Sequence, residues 1–290
     1  MAAAEPVTAG QDSPRLSDAE FARFRSLIQK HTGIHLKDHK RQLLLARLGQ
    51  HIRKLGLASF SDYYEYLARD ASGEALRAFI NRITTNKTSF FREPHHFEFL
   101  RARLIPELRR YGKRELRIWS AGCSSGEEPY SIAFAIGEAL GKCHAWDVRI
   151  MATDIDTEVL AQARAGIYPV AALEDVPAVL RRACFLRGYG EFRGQVQVRP
   201  ELRRLVEFRR INLKEPDWGL HTRFDVIFCR NVIIYFERPL QQEIVERLTG
   251  FLKPEGYFFG GHSENLFWMR DLLVPVEPTV YRLNHGGARA

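Results

Sequence analysis

The sequence predicts an α/β protein: a doubly wound, mostly parallel sheet, preceded by an all-helical N-terminal domain and carrying a small inserted antiparallel β-subdomain. Three observations lead there. Short apolar runs at 116–119 (LRIW), 148–153 (VRIMAT) and 224–229 (FDVIFC) alternate with segments of helical periodicity. Residues 16–83 read as a helical domain. Residues 187–200 (RGYGEFRGQVQVRP) break the alternation with three glycines and an alternating Val196/Val198 pattern.

In chain order, residues 1–15 and 285–290 read as loose tails, because neither carries an apolar pattern or a signal-peptide core. A helical domain is expected over 16–83. Within it, Leu36–Leu55 is expected as a helix with Leu44, Leu45, Leu48, Ile52 and Leu55 on one side. Phe60–Leu67 and Glu74–Ile83 follow as two more. Residues 21–56 hold nine Lys/Arg against one Asp, so this segment alone matches the net charge of +8 of the whole chain. Lys40, Arg47, His51 and Lys54 form a narrow basic stripe beside the apolar face. Its two readings are a docking surface for an acidic partner or a solvated helix face.

Residues 84–93 (TTNKTSFFRE) are a polar, β-branched linker, and the aromatic pair Phe90-Phe91 implies that it is pinned against something. A domain over 94–284 begins with a helix from Pro94 to Tyr111. The central stretch is LRIWSAGCSSGEEPYSIAF (116–134): strand, small-residue turn, then a helix from Ser131 to Leu140. Such a turn brings a ligand against bare backbone N–H groups. Two carboxylates, Glu127 and Glu128, follow at once, which disfavours phosphate and favours a cationic ligand or ribose hydroxyls. The spacing departs from G-x-G-x-x-G, and no Gly-Lys-Ser/Thr is present. The plainer reading is an ordinary turn with surface glutamates. Asp154 ends the second strand, where an acid accepts from a ribose, and Asp156 is placed to cap the helix Thr157–Ala165.

Beyond it, 173–186 reads as mostly helical. Val196/Val198 and Leu205–Phe208 read as a hairpin of the β-subdomain at 188–210, with an exposed edge able to accept a peptide strand. After the strand 224–229, Arg230, Asn231 and Tyr235 lie where open α/β sheets hold ligands. Arg238–Leu252 is a helix, Gly256–Gly261 a strand, and Val280–Leu283 a last, antiparallel edge.

Apolar residues make up 45% of the chain, but no stretch of 18 is uninterrupted, so no membrane span is expected. The cysteines at 123, 143, 184 and 229 have neither disulfide nor metal spacing, which fits a reduced, cytoplasmic protein. The ten histidines form no H-E-x-x-H, His95-His96 read as solvated or capping groups, and no metal site is expected. The basic charge invites nucleic acid, anionic lipid or acidic protein as partner. No single-strand stacking platform or RNA module accompanies it, which argues against nucleic acid.

Six segments together resemble the chemotaxis receptor methyltransferases, the CheR family of S-adenosylmethionine-dependent protein-glutamate O-methyltransferases. They are TTNKTSFFRE (84–93), GCSSGEEPYSIA (122–133), ATDIDTEVL (152–160), FDVIFCRNVIIYF (224–236), LKPEGYFFGGHSENL (252–266) and the late Tyr281. The resemblance implies methyl transfer to receptor glutamates, giving methyl esters and S-adenosylhomocysteine. It implies Asn86, Thr88, Arg92, Glu128, Asp154, Asn212, Leu213, Arg230 and Asn231 as cofactor contacts, and Arg92 and Tyr235 as the catalytic pair. Arg230 has a competing structural role, pairing Asp154 or a strand end. The basic stripe is implied to dock on the receptor's helical region, and Gly188, Gly190 and Gly194 match members that bind a receptor C-terminal peptide. A cytoplasmic monomer recruited to receptor arrays is the expectation. An RNA or small-molecule methyltransferase and a non-catalytic binding protein are the alternatives.

Overall fold

The computed structural model describes residues 15–141 and 146–285. Nearly all of the two expected tails, and Cys143, lie outside the described residues. The chain divides into two compact units at Ile83/Thr84, with Thr32–Ile34 counted in the second.

The first unit holds α1 (Asp18–Thr32), α2 (Arg41–Lys54), α3 (Phe60–Arg69) and α4 (Glu74–Ile83). Phe24 of α1 is the hub of its core, with ring centroids 6.0 Å from Phe60, 6.1 Å from Tyr63 and 5.7 Å from Phe79. Leu44, Leu48 and Ile52 of α2 are buried as their spacing predicts, whereas Leu55 is exposed. The helix expected from Leu36 begins only at Arg41, after a 3₁₀ turn at Asp38–Lys40. Ser59 caps α3 by accepting from the Asp62 N–H at 3.1 Å.

The stripe on α2 is not uniform. Arg47 turns inward and donates to the carbonyls of Ile83 (2.7 Å) and Arg82 (3.4 Å), satisfying the open end of α4. His51 lies edge-on to Tyr63, ring centroids 5.5 Å apart. Lys40 and Lys54 are exposed, as is Arg53, which the sequence places off the stripe. A guanidinium beside unsatisfied helix carbonyls is worth more there than in water, so helical periodicity misplaces it.

The second unit opens with α5 (His95–Phe99) and α6 (Ile105–Arg110), joined by a wider π-helical turn at Leu100–Leu104. The expected helix is continuous but widened just before Pro106, which cannot donate into an α-helical ladder. Then come β1 (Glu115–Ala121), α7 (Glu127–Leu140), β2 (Asp147–Asp154), α8 (Thr157–Ala165), β3 (Ile167–Pro169), α9 (Ala178–Cys184), β4 (Phe185–Arg187), β5 (Gln195–Val198), α10 (Pro200–Arg203) and β6 (Val206–Arg210). The chain finishes with β7 (Phe224–Cys229), α11 (Arg238–Gly250), β8 (Leu252–Gly260), β9 (Leu273–Glu277) and β10 (Val280–Leu283).

Seven strands form one sheet in the order β6-β2-β1-β7-β8-β10-β9, parallel except at β10, which runs antiparallel to both neighbours. The order reverses at β1, so β1 and β7 diverge around a switch point. A second sheet, β3-β5-β4, is antiparallel.

This topology corrects the β-subdomain. Its strands come from 167–169, 185–187 and 195–198, not from a hairpin within 188–210. Val206–Arg210 is instead the edge strand of the large sheet, paired parallel with β2 from Ile150↔Val206 to Asp154↔Arg210. Local alternation cannot tell which sheet a strand joins. The strand carrying Val196 and Val198 is central, so the free edges are β3 and β4.

The linker is part of the second unit. Phe90 stacks on Phe134 of α7 at 6.0 Å and meets Tyr168 and Phe185 edge-on, while the Phe91 N–H donates to Ser131 Oγ at 2.9 Å. Phe90 is fully buried between α7 and the small sheet. The Phe90→Ala variant is expected to lose about 3–5 kcal/mol of stability. Urea unfolding followed at the second unit checks this.

Candidate active site

Four of the five strands in the large sheet's parallel part end at or next to a residue singled out by the sequence, and the fifth, β8, ends at the glycine pair of GYFFGG. Gly122 follows β1, Asp154 ends β2, Asn212 lies just past β6, Arg230 follows β7 and Gly261 follows β8. Backbone N–H groups and side chains therefore converge at one sheet edge.

The turn after β1 is left-handed at Gly122 (φ +82°), Ser124 (φ +50°) and Gly126 (φ +98°). A Cβ on Gly122 would lie 2.2 Å from Val232 Cγ2, and one on Gly126 would lie 2.8 Å from Ala163 Cβ. These glycines thus serve the packing of the turn against its neighbours as well as its curvature. α7 starts at Glu127, four residues before the sequence places it, so both glutamates fall in its first turn. Neither is a surface group. Glu127 is buried and accepts from Ser125 Oγ at 2.7 Å. Glu128 accepts from Ser120 Oγ at 2.7 Å and from Arg230 Nη1 at 3.1 Å. Burial pushes both carboxyls above the ordinary range, and Arg230 and Ser120 pull Glu128 back. The helix N-terminus also favours their negative charge.

Asp154 accepts from the Ser124 N–H at 2.8 Å and the Asp156 N–H at 3.0 Å. A carboxylate has about four acceptor sites, so about two remain for hydroxyls of a ligand. Burial raises its pKa to about 6 against the pull of these two N–H groups. Asp156 caps α8 through the N–H groups of Glu158 (2.9 Å) and Val159 (3.3 Å), and its other oxygen holds the linker. There it accepts from Thr84 Oγ1 at 2.7 Å and Asn86 Nδ2 at 2.6 Å. The Asn86 carbonyl in turn accepts from Ser124 Oγ at 2.9 Å. Asn86 therefore ties the linker to the cradle, its side-chain amide committed to Asp156. Thr88 is half-buried.

Arg92 is exposed between two residues in left-handed conformation, Phe91 (φ +53°) and Glu93 (φ +58°). Its Nη1 donates to the Lys87 carbonyl at 3.1 Å. Its own carbonyl accepts from Arg230 Nη2. Arg230 is buried and pairs with Glu128 and with Glu93, the latter at 3.4 Å, so its partner is not Asp154. Asn212 and Leu213 are buried after β6, with Asn212 Oδ1 accepting the Lys214 N–H at 3.1 Å. Asn231 is left-handed at φ +58°. Tyr235, half-buried at the end of a 3₁₀ turn, donates its N–H to the Val232 carbonyl at 3.2 Å, while its hydroxyl has no hydrogen-bond partner among the described residues.

Two features escape the sequence reading. Glu264, inside the HSENL stretch, is buried and accepts four backbone N–H groups from 231–233 and 261. His96 is fully buried rather than solvated, with Nε2 2.7 Å from Thr279 Oγ1, and burial holds its pKa down at about 2. Glu93, His95 and His96 bring one ligand-type atom each within 4.8 Å of one another. The Arg230 guanidinium already answers the Glu93 charge there. A buried acid in a small-residue turn was the signal for Glu264; nothing local marks His96.

The basic-stripe residues belong to the other unit. Gly188, Gly190 and Gly194 lie in the loop joining β4 to β5 of the small sheet. A Cβ on Gly188 would lie 2.2 Å from the Phe192 carbonyl oxygen, so that position requires glycine. The described cysteines, Cys123, Cys184 and Cys229, are buried and unpaired. No described helix is long and apolar enough to cross a membrane.

An open, mostly parallel sheet with a glycine turn after β1 and a half-satisfied buried aspartate at the end of the neighbouring β2 defines an α/β fold of the methyltransferase class. Residues 86–281 match the family described as CheR methyltransferase, SAM binding domain, and residues 19–84 match its all-alpha domain. The chain belongs to the CheR methyltransferase family and uses S-adenosylmethionine. It is 48% identical over 262 residues to chemotaxis protein methyltransferase 2 of Pseudomonas aeruginosa, covering 90% of this chain and 92% of that protein. It is 46% identical over 270 residues to the chemotaxis protein methyltransferase of Salmonella typhimurium, covering 93% and 91%. The Escherichia coli protein of the same name is 43% identical over 270 residues, covering 93% and 92%.

The donor set fits this cofactor. Asp154 keeps acceptor sites for a diol, and the acids of the cleft suit a cationic ligand. Because burial holds the Asp154 pKa near 6, its acceptor form is lost as pH falls below that value. Affinity for S-adenosylhomocysteine is expected to weaken about tenfold between about pH 7 and pH 5. Asp154→Asn should bind weakly and without that pH dependence. Calorimetric titration across the range checks both.

Proposed function

We propose that this chain methylates glutamate side chains in the cytoplasmic helical region of chemoreceptors, forming 5-O-methyl esters for sensory adaptation. The observation that carries this reading is the cleft at the strand ends. There Arg92 stands exposed on a backbone anchored by Arg230, and Asp154 keeps acceptor capacity for the cofactor's hydroxyls.

Bound S-adenosylmethionine supplies an electrophilic methyl carbon on a sulfonium. The substrate carboxylate is ionised near neutral pH, so the chain needs no general base. One carboxylate oxygen forms the bond to the methyl carbon, the carbon–sulfur bond breaks, and its electron pair leaves with sulfur. The protein's task is to exclude water, align the groups and avoid leaving the carboxylate unpaired. Asp154 holds the ribose, with Asn212 and Leu213 beside the base and Thr88 and Asn231 completing the contacts. Asn86 and Arg230 act by fixing the linker and the loop. Arg92 orients the substrate carboxylate with its planar guanidinium. The open hydroxyl of Tyr235 directs the attacking oxygen.

Substrate encounter draws on charge. Lys40, Arg53 and Lys54 are exposed on the first unit. A second basic segment, with nine Arg against three Glu, runs over residues 181–210, through two strands of the small sheet to the edge strand β6 of the large one. The small sheet's exposed edge β4 and the loop containing Gly188, Gly190 and Gly194 suit an added receptor-tail strand.

Mass mapping of base-labile methyl esters on receptors, after incubation with enzyme and cofactor, tests the reaction. Label recovered in RNA instead, or absence of turnover, overturns it. Tyr235→Phe is expected to lower kcat about 10–100-fold, roughly 1.4–2.7 kcal/mol, with cofactor affinity unchanged. Receptor-fragment affinity should fall at least several-fold between about 50 and about 300 mM salt. A flat salt response removes the steering role of the basic surfaces while leaving the chemistry in place.

A further inference from the structure

We propose that Glu264 is a positioning residue for methyl transfer. Its carboxylate locks the loop carrying Asn231 and Tyr235 to the turn that follows β8. This rests on the reading of those two residues given above.

The geometry is that of a saturated anion. Oε2 accepts from the N–H groups of Asn231 and Gly261, both at 2.7 Å. Oε1 accepts from those of Val232 at 2.7 Å and Ile233 at 2.9 Å. All four acceptor sites are filled by backbone, so Glu264 has none left for cofactor or substrate. It differs in this from Asp154, which keeps about two.

The loop needs such an anchor. Asn231 holds a left-handed backbone at φ +58°, a conformation uncommon outside glycine that neighbouring contacts help to hold. The 3₁₀ turn presenting Tyr235 begins at Ile233, whose N–H is one of the four. The fit is close from the other side as well. A Cβ on Gly261 would lie 2.6 Å from Asn231 Nδ2 and 2.9 Å from Glu264 Oε2. Replacing the carboxylate by an amide would set an NH₂ group against two N–H donors, breaking half of the clamp.

The test uses the full chain with Glu264→Gln, and Glu264→Asp as a milder variant should the first fail to fold. Hydrogen exchange at amides 231–233 and 261, kcat, KM and S-adenosylhomocysteine affinity are measured together. The expected result is exchange at those amides faster by about tenfold or more, with β1 and β2 still protected. It is accompanied by a kcat lower by about 10–100-fold and a receptor KM changed by less than about threefold. Glu264→Asp, which keeps the charge on a shorter arm, is expected to recover part of kcat. Unchanged exchange at the four amides would overturn the clamp. Loosened amides with wild-type kcat would overturn the positioning role. Failure of the wild-type enzyme to methylate any receptor would instead strike the proposed function and leave the exchange result standing.

Discussion

The buried guanidinium of Arg230 is the contact on which the site depends. It joins two pieces of chain that are remote from it in sequence: the start of α7, through Glu128, and the linker, through the Glu93 carboxylate and the Arg92 carbonyl. Taking one charge out of this set would leave the others desolvated and unpaired, at a cost of about 3–5 kcal/mol. The network thus fixes the linker against the glycine turn. A linker that merely passed from one unit to the other would not require it. The left-handed residues on either side of Arg92 are held in the same way, by a backbone anchored more firmly than its local preference would allow.

The acids around the cleft divide by how much of their accepting capacity the protein consumes. Asp156 and Glu264 are spent on the chain itself, one capping α8 and holding the linker, the other binding two loops together. Asp154 is half spent, and Glu128 is tied to Ser120 and Arg230. Residue type alone does not separate these roles. All four are carboxylates close to strand ends, and only the count of donors aimed at each says which can still meet a ligand.

The two units put charge to different uses. In the first, Arg47 closes a helix end while Lys40 and Lys54 remain in solvent. In the second, the arginines cluster around the small sheet, and several donate to backbone carbonyls, as Arg181 does to Val176 and Arg199 to Arg182. Charge that reads as a uniform surface property in a count is thus part structural and part free.

Periodicity and local chemistry made much of this protein legible in its sequence. The parallel core strands, the helical first unit, the cap on α8 and the pinning of Phe90 each follow from side-chain patterns spanning a few residues. Family motifs brought the candidate cleft residues into view together. The partner of a strand, however, is set by backbone hydrogen bonds to segments distant in sequence. Val206–Arg210 could therefore look like half of a hairpin and still be the edge of the large sheet. The same holds for the partner of Arg230, the inward turn of Arg47 and the clamp formed by Glu264. Each is a polar group whose energy depends on which donors or acceptors folding places beside it, and no local pattern encodes that.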